Sequence, residues 1–519
     1  MEWLNYVILG LYLAMMIGVA VFTRNKAKSV KDFLFAGKKG INGWMSAFSY
    51  GTAYFSAVIF IGYAGKFGWA FGLGGIWIGI GNALIGAYLA WGILAKRTRN
   101  ITQRLDAKTM PDFFGKRYES KKLKITSAII IFIFLIPYSA SVYNGLGNLF
   151  GIVFGIEGWV IMLVLAGVTA LYIFFGGYIA TSLTDFIQGI IMLIGVVLMV
   201  LFFCKSPQVS WGEGVRTLIN NDLGFFNSPN ENTYWLFDRP MTIISLVLLT
   251  SFAVWALPQT IHKYYAIRDK KAIKQGQIVS TVFALIIGVG AYLVGAFATL
   301  FYSNLSAVGG TTDNLIPYML NAVIPNGLIG LIAVLVLAAS MSTLASVSLS
   351  SASVVAIDIY QGCSKKKAED KKITLLLRIL SMAFVLFSTV IAFINAKFHL
   401  TAIAYLMSLS WGVLAGCFIG PFVLGVSWKK TTNKGVWASI IGSLVITAIL
   451  IVVLGYGKCG WQGGFGKALQ AGMTCSPFIG VVCMIYSMIS TFVVSLFTKP
   501  SCKETIYEAF EKPLENEIK

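Results

Sequence analysis

Between Ala338 and Tyr360 the chain reads AASMSTLASVSLSSASVVAIDIY, a stretch long enough to lie in a bilayer as a helix and rich in hydroxyls. At about 3.6 residues per turn, Ala339, Ser342, Thr343, Ser346 and Ser350 stack along one side, with Ser353 close by. Hydroxyl oxygens in such a stripe replace water around a small hard cation, or they hydrogen-bond to a neighbouring helix. A second polar run, SYGTAYFSAVIFIG, holds Ser49, Tyr50, Thr52, Tyr54 and Ser56. Small polar residues at bilayer depth fit a broken helix that offers its carbonyls to an ion or solute, and equally an unbroken helix with polar packing. Asp185, with Gln188 following, lies in FFGGYIATSLTDFIQG at the predicted start of another helix. A membrane carboxylate is expensive unless paired, so Asp185 reads either as part of an ion path or, with Thr184, as a helix cap.

Composition defines the scaffold that must position these groups. Hydrophobic residues make up 57% and charged residues 12% of the 519, with a mean hydropathy of +0.78. This is the composition of an all-α polytopic membrane protein. Apolar runs close to the roughly 20 residues that cross about 30 Å of hydrocarbon recur at about 3–23, 43–65, 73–95, 125–150, 157–177, 184–204, 241–262, 276–302, 328–358, 374–394, 400–427, 435–455 and 475–497. Thirteen transmembrane helices are predicted. The longest gap, about 205 to 240, reads as an external loop with no room for a soluble domain between helices. The first apolar run passes into RNKAKSVKDF without a small-residue cleavage site, which predicts a retained helix instead of a signal peptide.

The net charge of +20 is a topology signal. If the first helix runs inward, the basic residues of Arg24 to Lys39, Lys96 to Lys124, Lys263 to Lys274, Lys365 to Lys372, Lys429 to Lys434 and the C-terminal tail share one side. Only Lys66, Lys205, Arg216, Arg239, Lys397, Lys458 and Lys467 fall on the other. The positive-inside pattern places the N-terminus outside and the C-terminus in the cytoplasm of a multi-pass cell-membrane protein. Nucleic acid is not an expected partner, because no aromatic or motif support accompanies the charge; the expected partners are the lipid bilayer and a small-molecule solute. The seven cysteines have no metal-ligand spacing, and free thiols are expected, although Cys459 and Cys475 flank one external loop. His262 and His399 sit at membrane edges and make no cluster, so no catalytic machinery is visible and the chain reads as no enzyme.

Five segments in this order, KDFLFAGKK, TMPDFFGKRYES, GGYIATSLTDFIQG, MSTLASVSLSSASVVAIDIY and SLSWGVLAGCFIGPFVLGVSWKKTTNKG, give nearly the whole chain a resemblance to the sodium/solute symporters. That family includes bacterial proline and pantothenate symporters and sodium/glucose cotransporters. TMPDFF, MSTL and the SWGVLAGCFIGP block look most like the proline and pantothenate branch. The resemblance implies a LeuT-type fold with two inverted five-helix repeats. The implied organisation is a peripheral helix and cytoplasmic loop (1–40), a first repeat (41–205), an external loop (206–239), a second repeat (240–428), two peripheral helices (429–498) and a cytoplasmic tail (499–519).

The resemblance also implies sites. Sodium would be held by carbonyls near Thr52 and Phe55, the carbonyl of Ala339 and the hydroxyls of Ser342 and Thr343. A second sodium site of some relatives maps to Asp185, Ser342, Ala345 and Ser346. Ala345 lacks the required oxygen, which favours one sodium per solute, with Asp185 and Ser346 left as a weak site or a relay. Solute-binding positions map to Ser56, Val58, Trp255, Gln259, Ser410 and Trp411. Val58 replaces an aromatic of the proline symporter, and the 125–150 helix has no arginine for the carboxylate clamp used with sialic acid. The implied function is sodium-coupled import of a small polar solute of amino-acid, vitamin or organic-acid type by alternating access. A sugar symporter, a proton-coupled transporter relying on Asp185, and a solute receptor on the same fold stay open. A channel fits less well, because the hydroxyls gather on one helix.

Overall fold

The computed structural model describes residues 2–23, 29–35, 41–210, 212–221, 223–225, 239–364, 369–398, 401–461 and 464–514. His399, the basic residues at 24–28 and 36–40, and residues 226–238 of the expected external loop lie outside them. Among the described residues, eleven continuous helical spans are long and apolar enough to cross a membrane. Two of them contain a sharp backbone break. Val58–Arg104 passes through Gly72 at φ 56°, and Gly158–Lys205 passes through Gly177 at φ 55°, ψ −156°, conformations glycine adopts without the strain other residues incur. Dividing these spans gives thirteen membrane helices, the number the apolar runs predict.

We number them α1 (Glu2–Thr23), α2a (Gly43–Tyr54) with α2b (58–71), α3 (76–104), α4 (Lys121–Phe154), α5 (158–176), α6 (178–205), α7a (Arg239–Ala253) with α7b (Pro258–Tyr265), α8 (Lys270–Ala296), α9 (Ile329–Gln361), α10 (Asp370–Phe398), α11 (Ile403–Ser427), α12 (Asn433–Cys459) and α13 (Ser476–Leu496). Two helices are broken. In α2, Phe55 is extended (φ −103°, ψ 120°) and its N–H closes on Gly51. In α7 the chain leaves the helix after Ala253 and restarts at Pro258, whose missing N–H suits a first helical position. The Thr260 hydroxyl serves the carbonyls this break releases, donating to Val254 O at 2.7 Å and Leu257 O at 2.8 Å. The breaks are tied together, because the Tyr54 hydroxyl donates to Thr250 O at 2.7 Å.

Burial explains why hydroxyls concentrate where they do. The apolar window of α9 is 94% buried, against 22% for α1 and 39% for α10 and α12. With lipid excluded, α9 is free to carry polar atoms, each of which needs a protein partner. α2b lies on α8 at backbone contact: a Cβ on Gly295 would stand 2.0 Å from the Ala64 carbonyl.

One difference from the apolar pattern bears on the site. α6 begins at 178, not near 184, because Gly177 makes the turn and the hydroxyl-rich YIATSLT that follows is helical. Thr181 and Thr184 satisfy their hydroxyls on carbonyls of the preceding turn. Asp185 therefore sits inside the helix, and the capping reading of Thr184 and Asp185 is overturned.

Candidate functional site

The α2 break faces the hydroxyl stripe of α9. Ser342 Oγ donates to Thr52 O and to Ala339 O, each at 3.0 Å, and Thr343 Oγ1 approaches the same two carbonyls at 3.1 Å. Serine and threonine in a helix ordinarily bond back to the carbonyl three or four residues earlier; here the same hydroxyls also reach the last turn of α2a. Thr52, Ala339, Ser342 and Thr343 are fully buried, and Phe55 closes the half-helix beside them. Four oxygens thus meet at a helix end whose carbonyls lack intrahelical donors. Such a set suits a small monovalent cation, and no group of three or more His, Cys, Asp or Glu that could hold a metal ion occurs among the described residues.

One turn away is a second polar cluster. Asp185 Oδ2 accepts from Ser49 and from the Lys263 ammonium, which stands 3.2 Å away. Lys263 Nζ is also 2.8 Å from Ser49 Oγ and 3.0 Å from Ser346 Oγ. Asp185 and Ser346 are therefore brought together, as the sequence suggests, but around a lysine that sequence reasoning missed. Lys263 was read there as a cytoplasmic topology signal; it is 2% exposed and belongs to the interior. His262 beside it is likewise buried, stacked on Phe35 at 5.2 Å and edge-on to Tyr178 at 5.1 Å. The available signal was HKYY, a basic pair sealed between an apolar helix and two tyrosines. Gln188 is turned elsewhere, donating to Tyr12 at 2.8 Å.

Beside the α2 break lies a small cavity of about 20 Å³, lined by Tyr54, Phe55, Ser56, Ile59, Tyr63, Asn82, Thr250, Tyr292, Met407 and Trp411. Of the candidate solute residues, Ser56 and Trp411 line it. Val58 is buried at the start of α2b, where its N–H bonds to Ser56 Oγ at 3.3 Å. Trp255 donates to Ile85 O at 3.1 Å, and Ser410 to Phe134 O. Gln259 is buried in α7b with both amide atoms free of hydrogen bonds. Tyr54 belongs to the polar run noted in the sequence, whereas Tyr63, Tyr292, Asn82 and Thr250 were not singled out there, although tyrosines far from the interfacial belts are a usable signal. Asn82 Oδ1 accepts from Thr250 at 2.7 Å and Ser251 at 3.2 Å, which binds α3 to α7a.

The two ends of the bundle differ. At the end carrying 309–314 and 467–474 a cavity of about 1060 Å³ opens, lined by Asn144, Asn148, Asp313, Asn395, Lys467 and Gln470 among others. Asp313 Oδ2 accepts the Ile403 N–H at 3.1 Å; burial pushes its carboxyl up to about 6, against the opposing pull of that bond and of Lys66. At the other end the space between Thr109, Met110, Pro258, His262 and Val354 is only about 10 Å³. A short helix, Met110–Arg117, closes this end. Its Thr109 cap also donates to Asp358 at 2.6 Å, and Lys124 bridges Asp112 at 2.6 Å and Asp358 at 3.3 Å. Burial raises the Asp112 carboxyl, but Lys116 and Lys124 outweigh it and hold the group below its usual range.

A model of the family described as "Sodium:solute symporter family" matches residues 33–442. The osmoregulated proline transporter OpuE of Bacillus subtilis is 29% identical, over 98% of each chain. The high-affinity proline transporter PutP of the same species is 26% identical over 93% of this chain and 96% of its own, and a sodium/proline symporter of Staphylococcus aureus is 26% identical over 96% and 93%. Among solved structures, a Na+-coupled sialic acid symporter in a substrate-bound outward-open state superposes with a TM-score of 0.76 at 20% identity, covering 96% of this chain and 98% of that one. The fold is therefore the LeuT type that the sequence implied.

Proposed function

The chain belongs to the sodium:solute symporter family and is a sodium-coupled symporter of a small organic solute, and from that premise we propose that it carries proline, or an amino acid close to it in size, inward with one sodium ion. The observation that carries the sodium reading is the meeting of the Thr52 and Ala339 carbonyls with the Ser342 and Thr343 hydroxyls at the α2 break. Phe55 would contribute a fifth oxygen through its carbonyl. The proline transporters among its relatives support the choice of solute, and the cavity lined by Ser56 and Trp411 supports a binding position beside the α2 break. In this reading Val58, Trp255, Gln259 and Ser410 shape the pocket from behind.

Coupling follows from the placement of the ion. Sodium at the α2 break bridges α2 to α9 and fixes the backbone turn that forms one wall of the solute cavity. An ion shifts a conformational equilibrium only by its differential affinity for the two states, and this site exists only while α2 and α9 are in register. The wide cavity then faces outside and the end closed by Thr109, Lys124 and Asp358 faces the cytoplasm, with the N-terminus outside and the C-terminus inside, in keeping with the distribution of Lys and Arg. The halves 41–205 and 240–428 would move against each other between the two states. Release inward requires the Asp358 contacts to part, and the membrane potential contributes about 2.3 kcal/mol per charge per 100 mV.

The solute is tested by thermal unfolding of purified protein against amino acids, vitamins, organic acids and sugars, each with sodium or potassium. Stabilisation by proline that appears only with sodium supports the reading; stabilisation by a sugar or an organic acid instead reassigns the solute.

A further inference from the structure

We propose that Lys263 is a tethered cation: its ammonium permanently fills a second cation site built by Ser49, Asp185 and Ser346, so that the carrier moves one sodium ion, and one net positive charge, per zwitterionic solute. The proposal rests on the symporter reading above and says why its stoichiometry is one.

The three oxygen ligands come from three helices, Ser49 from α2a, Asp185 from α6 and Ser346 from α9. All lie within 2.8–3.2 Å of the ammonium. The arrangement repeats the principal site one helical turn away: Ser346 follows Ser342 and Thr343 on α9, and Ser49 precedes Thr52 on α2a. Each site therefore joins α2a to α9. They differ in what supplies the positive charge. At Thr52 and Ser342 every ligand is a neutral oxygen, and a cation must come from solution. At Asp185 the carboxylate is already neutralised by a side chain 2% exposed, and a free sodium entering there would leave an uncompensated buried charge. The lysine stem rises from α7b, so the tether also joins the broken helix of the second half to that of the first. Sodium can leave after each cycle; the ammonium cannot.

The test is the number of sodium ions moved per solute, from reversal potentials in proteoliposomes, together with the Hill coefficient for sodium. Wild type should give one for both. Lys263→Ala frees Asp185, Ser49 and Ser346 to bind a second sodium, so both values should rise toward two, and added methylammonium should return the Hill coefficient to one by refilling the site. If that variant does not reach the membrane, Lys263→Met, which keeps the apolar stem but offers no donor to Ser49 or Ser346, should show the same rise. A wild-type ratio of two, or a folded Lys263 variant that still moves one sodium, overturns the proposal. Sodium-independent uptake by wild type is a different result: it overturns the symporter reading, and the tethered cation falls with it.

Discussion

The Ser342 hydroxyl donates to the Thr52 carbonyl at 3.0 Å across 290 residues of chain. The bond joins the most enclosed helix to the last turn of a helix that stops in mid-bundle, and Thr343 repeats it at 3.1 Å. Both hydroxyls also satisfy their own helix through Ala339, so a cation approaching them meets oriented oxygens and does not have to order them first.

Ser342→Ala and Thr343→Ala should each raise the sodium concentration for half-maximal uptake by roughly ten- to a hundredfold, since a ligand bond to a charge is worth about 1.5–3 kcal/mol. Membrane levels should stay near wild type, because deleting either hydroxyl leaves a helix-compatible side chain. Unchanged sodium dependence in both variants would remove the ion from this place.

Asp185→Asn leaves the Lys263 ammonium buried without its counter-charge, and should lower stability by about 3–5 kcal/mol. Pairing it with Lys263→Leu should recover most of that loss, because the buried ammonium left without a counter-charge is then gone. Melting temperatures of the two variants in detergent decide the matter: a single Asp185→Asn that melts like wild type would mean the contact carries no charge interaction.

Asp313 makes stability depend on pH. Burial lifts its folded-state value to about 6, above the ordinary carboxylate value near 3.9. Between those values the folded protein holds a proton that the unfolded chain has lost, so the contribution is full below about 4 and disappears as pH rises through about 6, amounting to about 3 kcal/mol. Asp313→Asn should flatten the pH dependence of unfolding between about pH 4 and 6 and stabilise the protein at pH 7.5. A variant with the wild-type slope would place the titration elsewhere.

Trp411 and Ser410 are neighbours with different surroundings. Trp411 lines the small cavity, while the Ser410 hydroxyl is spent on Phe134 O. Trp411→Leu should raise the solute concentration for half-maximal uptake by roughly tenfold through lost packing area, and Ser410→Ala should change it by less than about twofold, at some loss of helix packing. Competition with unlabelled solute measures both, and the reverse ranking would move the pocket to the α4 side.

The thirteen helices were legible because length and apolarity are what a bilayer demands of any crossing segment. The α2 break was legible as one of two readings, because Ser49, Thr52 and Ser56 interrupt an apolar run. Lys263 was not, since a lysine after an apolar run reads as a cytoplasmic anchor; only the α7 break at 254–257, which restarts the helix at Pro258, turns it inward. Asp185 was misplaced by the same kind of error, its helix starting a turn and a half earlier than the apolar window indicates. Tyr63 and Tyr292 of the cavity left no periodic mark, because they converge from α2b and α8, which only the fold brings together.

The central claim is that sodium bound at the α2 break drives solute uptake, and the most direct measurement is accumulation of radiolabelled proline in proteoliposomes at fixed pH, under an inward sodium gradient or an equal potassium gradient. The account predicts accumulation above the external concentration with sodium and none with potassium. Equal uptake under both gradients, or accumulation driven by a proton gradient without sodium, would contradict it.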